Sequence, residues 1–528
     1  MAPKGDLAGI GENWKCALAI LLVSMSPFQY GIDFSLIGGI QAMKGFLEIF
    51  GYECPECPGG WNITPERQQL ISSLMTLGAV IASACAGPIA WKLGRRWCLW
   101  LACLGCGVSN AIMMGTQSIG VLYLGRLLLG LANGILMTFS QLYIQETAPA
   151  RYRGLALAAF QFWTSAGSLV GTVVDNFTAK LPGRQAYIVS LAPIYIVPFV
   201  ITCGLFFIPE SPRWLLEKGR RDEALKSLFG CVQTGELLEM ETSMEQEKAL
   251  SSGVSVWDMF KGTDLRRTLL AVGAISTQAA SGAMFMIAYG TYFFEMAGVG
   301  SPFENSCILT GVGVVAIIIN TLVITKFGRR RFFLITGLVI CGFIQLAVSI
   351  VYTVAPGTKA AGKAIVALGV LYIVGYNGMI ATYAWLCGGE IPSQRLRSYT
   401  FGLATSVAFL GAWLATFTAP YFINPAALGW GPKYGYIWFP SCLLAAVFVW
   451  FCIPEIKDRT LEEITEMFEA RLPARKFAGY KCVGTGRYEG KLDDEKEKEI
   501  STVEEVEIVY GDRHATLNPA TETAIAIS

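Results

Sequence analysis

Two side chains of opposite charge, Asp33 and Arg126, each stand inside a run of about twenty apolar residues, the length that crosses a membrane. A carboxylate there is costly unless it is paired or protonated, and an arginine keeps its proton, so each is the other's natural partner. Arg126 lies roughly 9 Å inward from the outer end of its run at 1.5 Å per residue. Asp33 occupies the outer part of a run entered from the opposite face, so the two fit one layer. Protonating Asp33 would release Arg126, and a pair whose closure depends on a proton can bias one of two global states. A purely structural ion pair is the competing reading.

Other chemistry is not encoded. The chain has no Gly-rich phosphate loop ending in Lys-Ser/Thr, no nucleophile elbow and no pair of metal-binding histidines, its one histidine being His514. The expectation is therefore a protein that is not an enzyme, is not driven by ATP, and has no cofactor and no metal. Cys54 and Cys57 flank Pro55-Glu56 and lack two further ligands for zinc, so a disulfide or free thiols are expected there. Most other cysteines sit in apolar runs, where a thiol behaves as a small apolar side chain. A net charge of +1 gives no reason to expect nucleic acid as a partner.

The elements that must position the pair are membrane spans. Of 528 residues 53% are hydrophobic and 15% charged, unlike a soluble domain. Twelve apolar runs fall between residues 15 and 453, and the first has no small-residue cleavage site, so it reads as a span. The predicted fold is an all-α membrane protein of twelve transmembrane helices in two pseudo-symmetric six-helix halves. Its parts are an N-terminal tail (1–14), a first half (15–208), a linker with short helices (209–267), a second half (268–453) and a largely disordered tail (454–528). Three motifs recur in order: Gly94-Arg95-Arg96 as Gly328-Arg329-Arg330, Glu146 with Arg153 as Glu390 with Arg397, and Pro209-Glu210 as Pro454-Glu455. A duplicated unit explains that order. Basic clusters follow every even-numbered run, which predicts that those loops and both termini are cytoplasmic, with the plasma membrane as location. The sequons at Asn62 and Asn176 fall on the other side and are candidate glycosylation sites.

The motif set resembles the sugar porters of the major facilitator superfamily over about residues 15 to 470. It comprises Tyr30-Gly31-Ile32-Asp33 with Gly38-Gly39, Gly125-Arg126, Glu146 through Gly154 and Pro209 through Leu215. Within that family Tyr289 through Glu295 and Glu390-Ile391-Pro392-Ser393 look most similar to the fungal α-glucoside (maltose-type) permeases. The resemblance implies a secondary active transporter that moves a sugar or glycoside by alternating access, with a proton and the lipid bilayer as its other partners. It implies a cytoplasmic gate of Arg96, Glu146, Arg153 and Glu210 with Arg330, Glu390, Arg397 and Glu455. It also implies sugar contacts from Gln161, Gln278, Trp385 and Trp413, since amides donate and accept together and indoles offer flat faces to a pyranose.

Ala279, Met284, Gly313 and Ala412 stand where the family usually has amides. A thinned set of hydroxyl readers suits a larger glycoside or a less polar metabolite. The rival readings are therefore a proton-linked exporter of a natural product and, behind it, a sensor that signals without transporting.

Overall fold

Apolar runs become helices because hydrocarbon offers no partner to a backbone amide, so each segment must satisfy its own. The computed structural model describes residues 14–55, 60–147, 150–227, 255–296, 300–327, 329–457, 459 and 461–480. The tail before residue 14, the linker from 228 to 254 and the tail from 481, predicted to be disordered, lie outside the described residues.

Twelve spans form. In the first half they are Trp14–Ser24 continued by Ser26–Ile40, then Pro65–Leu93, Arg95–Gly115, Ile119–Thr147, Ala150–Thr178, and Gln185–Leu191 running through a 3-10 turn into Ile196–Leu205. In the second half they are Gly262–Ala280 continued by Ala283–Met296, then Pro302–Phe327, Arg330–Val354, Lys359–Gly375 continued to Glu390, Arg397–Ile423 and Gly435–Cys452. Eleven are long and apolar enough to cross a membrane. The fifth, Ala150–Thr178, has the length at 29 residues and carries Gln161, Thr164, Ser165, Ser168, Thr172 and Asp175 among its apolar residues.

Several spans are broken where the sequence supplies a reason. The first restarts after Met25 with Pro27 in its opening turn, where proline's missing N–H costs nothing. The seventh breaks at Gly282, whose φ of +80° is open to glycine. The tenth passes through a π turn at Tyr376–Ile380, a form common near functional sites.

Within the first half the first span packs on the fifth and the second on the fourth. The approach is backbone to backbone: a β-carbon at Gly31 would stand 2.0 Å from the Thr164 carbonyl, and one at Gly167 would stand 2.2 Å from that of Phe28. Small residues at such crossings are how membrane helices gain contact without a hydrophobic driving force. Between the halves, the first span meets the seventh, the second meets the eleventh, and the fifth meets the eighth.

The internal repeat is visible, with a shift of one residue from the sequence alignment. The third span starts at Arg95 and the ninth at Arg330, so Arg95 answers to Arg330 and Arg96 to Arg331. Glu210 accepts from the backbone N–H of Arg95 (2.9 Å) and of Arg96 (3.1 Å). Glu455 likewise accepts from those of Arg330 (3.1 Å) and Arg331 (3.2 Å). Each acid caps a helix N-terminus, where unpaired amides and the helix dipole favour negative charge. Gly94, at φ +82°, leaves room: a β-carbon there would stand 2.6 Å from Glu210 Oε2.

The chain divides into one compact unit ending at Lys457 and another starting at Asp458. The second contains the helix Leu461–Glu469, whose Phe468 packs edge-on against Phe477 at 5.1 Å.

Candidate functional site

The predicted pair forms. Arg126 Nη1 donates to Asp33 Oδ1 at 2.9 Å, with the side chains 0% and 1% exposed. The guanidinium is held from two other directions, by the Ile71 carbonyl on Nε (2.9 Å) and by the Met75 sulfur on Nη2 (3.2 Å), both on the second span. The other carboxylate oxygen is not idle: Asn133 Nδ2 donates to Asp33 Oδ2 at 2.9 Å. Asn133 in turn accepts from the Cys106 thiol at 3.5 Å. Sequence reasoning missed Asn133. The signal was there, since it stands seven residues after Arg126 and two helical turns put both on one face.

Gln29, one turn before Asp33, was missed as well. It is fully buried, and neither amide atom has a hydrogen-bond partner among the described residues. Such an amide is costly unless something supplies a partner.

The four predicted sugar contacts share no hydrogen bond or ring contact with one another. Gln161 is half-buried on the fifth span. Gln278 is buried and donates to the Ala381 carbonyl at 2.7 Å, just past the π turn of the tenth span. Trp385 leans on Phe401 with centroids 5.9 Å apart, and Trp413 stacks on Phe417 at 5.1 Å; both indoles are half-buried.

At the end bearing the arginine clusters, charge pairs are numerous and the assignment of Arg96 needs correction. Arg95, not Arg96, grips Glu146, with Nη2 to Oε1 at 2.7 Å and Nε to Oε2 at 2.9 Å. Neighbouring residues point about 100° apart on a helix, which turns Arg96 to the Leu205 carbonyl at 3.0 Å instead. Arg331 reaches the Trp450 carbonyl in the same way. In the second half Arg330 holds Glu390 with bonds of 3.0 and 3.3 Å. Three bonds were not anticipated: Arg395 pairs with Asp264, and buried Arg267 donates to the Ile391 and Pro392 carbonyls. Glu210 and Glu455 act as helix caps rather than as arginine side-chain partners. Arg397 is half-buried, and the side chain of Arg153 lies outside the described residues. All these bonds stay within one half.

At the opposite end the halves are stitched together by neutral groups. Asn62 Nδ2 donates to Asn424 Oδ1 (3.3 Å), and Asn424 Nδ2 donates to the Ile63 carbonyl (2.8 Å) and to Gln68 Oε1 (3.1 Å). Tyr292 donates to Asn62 Oδ1 at 3.0 Å, and the Thr172 and Thr310 hydroxyls meet at 2.8 Å. This end is closed. Asn62, a candidate glycosylation site, is 1% exposed with its Nδ2 engaged, which does not fit a glycan there. Asn176 is half-buried at the end of the fifth span. Cys54 is disulfide-bonded, with its partner outside the described residues.

Solved structures share this architecture. Partially occluded inward-open and inward-open forms of the xylose transporter XylE from E. coli both superpose with a TM-score of 0.69, at 18% and 19% identity, covering 84% and 85% of this chain and 99% of that one. Among curated proteins, a major facilitator-type transporter, ecdD, of Aspergillus rugulosus is 28% identical over 91% of this chain and 92% of its own. The high-affinity glucose transporter ght2 of Schizosaccharomyces pombe is 27% identical over 92% and 93%. The probable glucose transporter rco-3 of Neurospora crassa is 29% identical over 87% and 80%. With residues 19–468 matching its model, this multi-pass integral membrane protein belongs to the sugar (and other) transporter family.

Proposed function

We propose that the chain carries a sugar across the membrane together with a proton by alternating access, and that Asp33 and Arg126 couple the two. The observation that carries this reading is the fully buried Asp33–Arg126 pair, whose carboxylate takes a second hydrogen bond from Asn133. Protonation would cancel the carboxylate's charge, weaken its hold on Arg126 and change which packing of the first, second and fourth spans is preferred. With the basic end taken as cytoplasmic, the closed, Asn62-containing end faces outward and the arrangement is inward-facing. In the outward-facing state the arginine-rich layer would close instead, with Arg95–Glu146 and Arg330–Glu390 as the rigid edges of that gate. Residues 15–208 and 268–453 are the two moving halves, joined by the linker 209–267. Both termini are cytoplasmic, and the plasma membrane is the home of a solute importer of this kind.

A hexose is the favoured substrate, because curated relatives of nearly full coverage are glucose transporters. Gln161, Gln278 and Gln29 would read hydroxyls, with Trp385 and Trp413 beside the ring. The α-glucoside likeness offers no substrate contact of its own: Tyr289 and Tyr292 are spent on the Thr416 carbonyl and Asn62, and Glu390 on Arg330. A second reading, export of a less polar metabolite, is favoured by Ala279, Met284, Gly313 and Ala412 and by the likeness to ecdD. Proteoliposome uptake with hexoses, disaccharides and polyols, with and without a pH gradient, tests both. Hexose accumulation that follows the gradient supports the proposal; gradient-independent uptake, or no sugar flux at all, defeats it.

A further inference from the structure

The fifth span carries a second acid that the ion pair does not use. Asp175 is 1% exposed, and neither carboxyl oxygen has a hydrogen-bond partner among the described residues. Gly39 of the first span packs directly onto it: a β-carbon at Gly39 would stand 2.0 Å from Oδ2. The nearby Thr178 and Ser190 hydroxyls bond each other, with the Val174 and Ala186 carbonyls as further partners within reach.

Among the described side chains no cation faces the group. On the parts of the neighbouring spans nearest it, the titratable side chains are Tyr30 and Asp33, Tyr123 and Arg126, Tyr187 and Tyr195, and Glu304 and Cys307. The positive one among these, Arg126, is held by Asp33, while Lys15 and Lys326 stand at the far ends of the first and eighth spans. Of the cations in adjoining loops, Lys44 pairs with Glu48, Arg184 donates to the Met114 and Gly115 carbonyls and the Tyr187 hydroxyl, and Lys180 is exposed. An ionised carboxylate with no partner inside a membrane bundle is far more expensive than a neutral carboxylic acid.

Its place is also informative. Gly39 is six residues, or about 9 Å, beyond Asp33 along the first span, toward the closed end. The adjacent Gly38 packs against the Ala288 carbonyl of the seventh span, where a β-carbon would stand 2.7 Å away. Thr172, one turn before Asp175, makes the hydroxyl contact to Thr310 of the eighth span. Asp175 therefore sits behind the seam that must part when this end opens.

We propose that Asp175 is a second proton-binding site, lying between the outer solution and Asp33. It holds a proton while the halves are closed here. When they part, its O–H bond breaks, water takes the proton as hydronium, and the carboxylate left behind is hydrated. The exchange step rests on the alternating-access reading; the protonated state does not.

Infrared difference spectroscopy of the purified, lipid-reconstituted protein near neutral pH tests the protonated state directly. Wild type minus Asp175→Asn should contain a carboxylic-acid C=O band that shifts in D2O, and wild type minus Asp33→Asn should retain it on both sides and so cancel it. A carboxylate band in its place overturns the proposal. The amide is a near isostere of the neutral acid, so the Asn variant should melt within about 2 °C of wild type. A large loss of stability, or failure to fold, would mean that a charge was needed and overturns it as well. In transport, Asp175→Asn should keep sugar exchange while its uphill uptake loses at least twofold of its dependence on outside pH; an unchanged dependence refutes the exchange step. If wild type shows no proton-linked uptake at all, the coupling proposal falls, and the infrared result still decides Asp175.

Discussion

Replacing Asp33 by Asn removes one negative charge and little volume, which isolates the coupling step. If a proton enters with each sugar, as proposed, a gradient of one pH unit, worth 1.36 kcal/mol per proton, would hold the sugar about tenfold above its outside level. The Asn side chain cannot take up and release that proton, so the variant should equilibrate the sugar across the membrane and no further. Stability should fall too. Breaking a buried pair by deleting one charge costs about 3–5 kcal/mol, but Arg126 keeps the Ile71 carbonyl and the Met75 sulfur, and the new amide oxygen can still face a donor, so the loss should sit at or below the bottom of that range. The assay is sugar accumulation in proteoliposomes with an imposed gradient, run beside sugar exchange without one. Tenfold accumulation by Asp33→Asn would refute the assignment, whereas lost accumulation with intact exchange is the expected outcome.

Four further outcomes are expected. Asn133→Ala leaves Asp33 Oδ2 without its donor, and an unsatisfied buried charged group costs about 1–3 kcal/mol, readable as a lower melting temperature with uptake reduced but still gradient-driven. Tyr292→Phe removes one neutral hydrogen bond from the closed outer end, worth about 0.5–1.5 kcal/mol, so spin-label distances across that end should show the outward-open population rising about two- to tenfold. Arg95→Ala should destabilise the fold by more than Arg96→Ala, because Arg95 alone leaves a buried Glu146 without its bidentate partner; equal losses in chemical denaturation would contradict that assignment. Glycosidase treatment of protein from a eukaryotic host should change the mass no differently in Asn62→Gln than in wild type.

Charge and hydropathy made much of this molecule legible in the sequence. A buried acid and a buried arginine on separate spans have few ways to be satisfied, so Asp33 and Arg126 could be paired without coordinates. The number of spans was legible for the same reason, the fifth included. What escaped was direction. Gly-Arg-Arg aligned by letters puts Arg96 opposite Arg330, but helix starts at Arg95 and Arg330 set the true correspondence. A sequon is a local pattern, and nothing local reveals that Asn62 is drawn under Asn424 and Tyr292, residues more than two hundred positions away. Asp175 escaped because a single acid late in a span looks like a loop residue until Gly39 is seen to cover it.

The distribution of bond types also bears on how the molecule could move. Inside each half there are charge-assisted bonds, Asp33–Arg126, Arg95–Glu146 and the more exposed Arg330–Glu390, and breaking either of the two buried ones by removing a partner costs about 3–5 kcal/mol. Across the seam at the closed end the bonds are neutral, from Asn62, Tyr292, Asn424 and the Thr172–Thr310 hydroxyls. At about 1 kcal/mol net for each such bond, parting that seam costs a few kcal/mol, the same order as the roughly 4 kcal/mol released when a solute binds with millimolar affinity. Solute binding can therefore shift the seam but cannot dismantle a half. Two stiff bodies on a weak seam whose described bonds are neutral is a mechanical arrangement that would let a small solute and, on the proposed coupling, one proton decide which end is open.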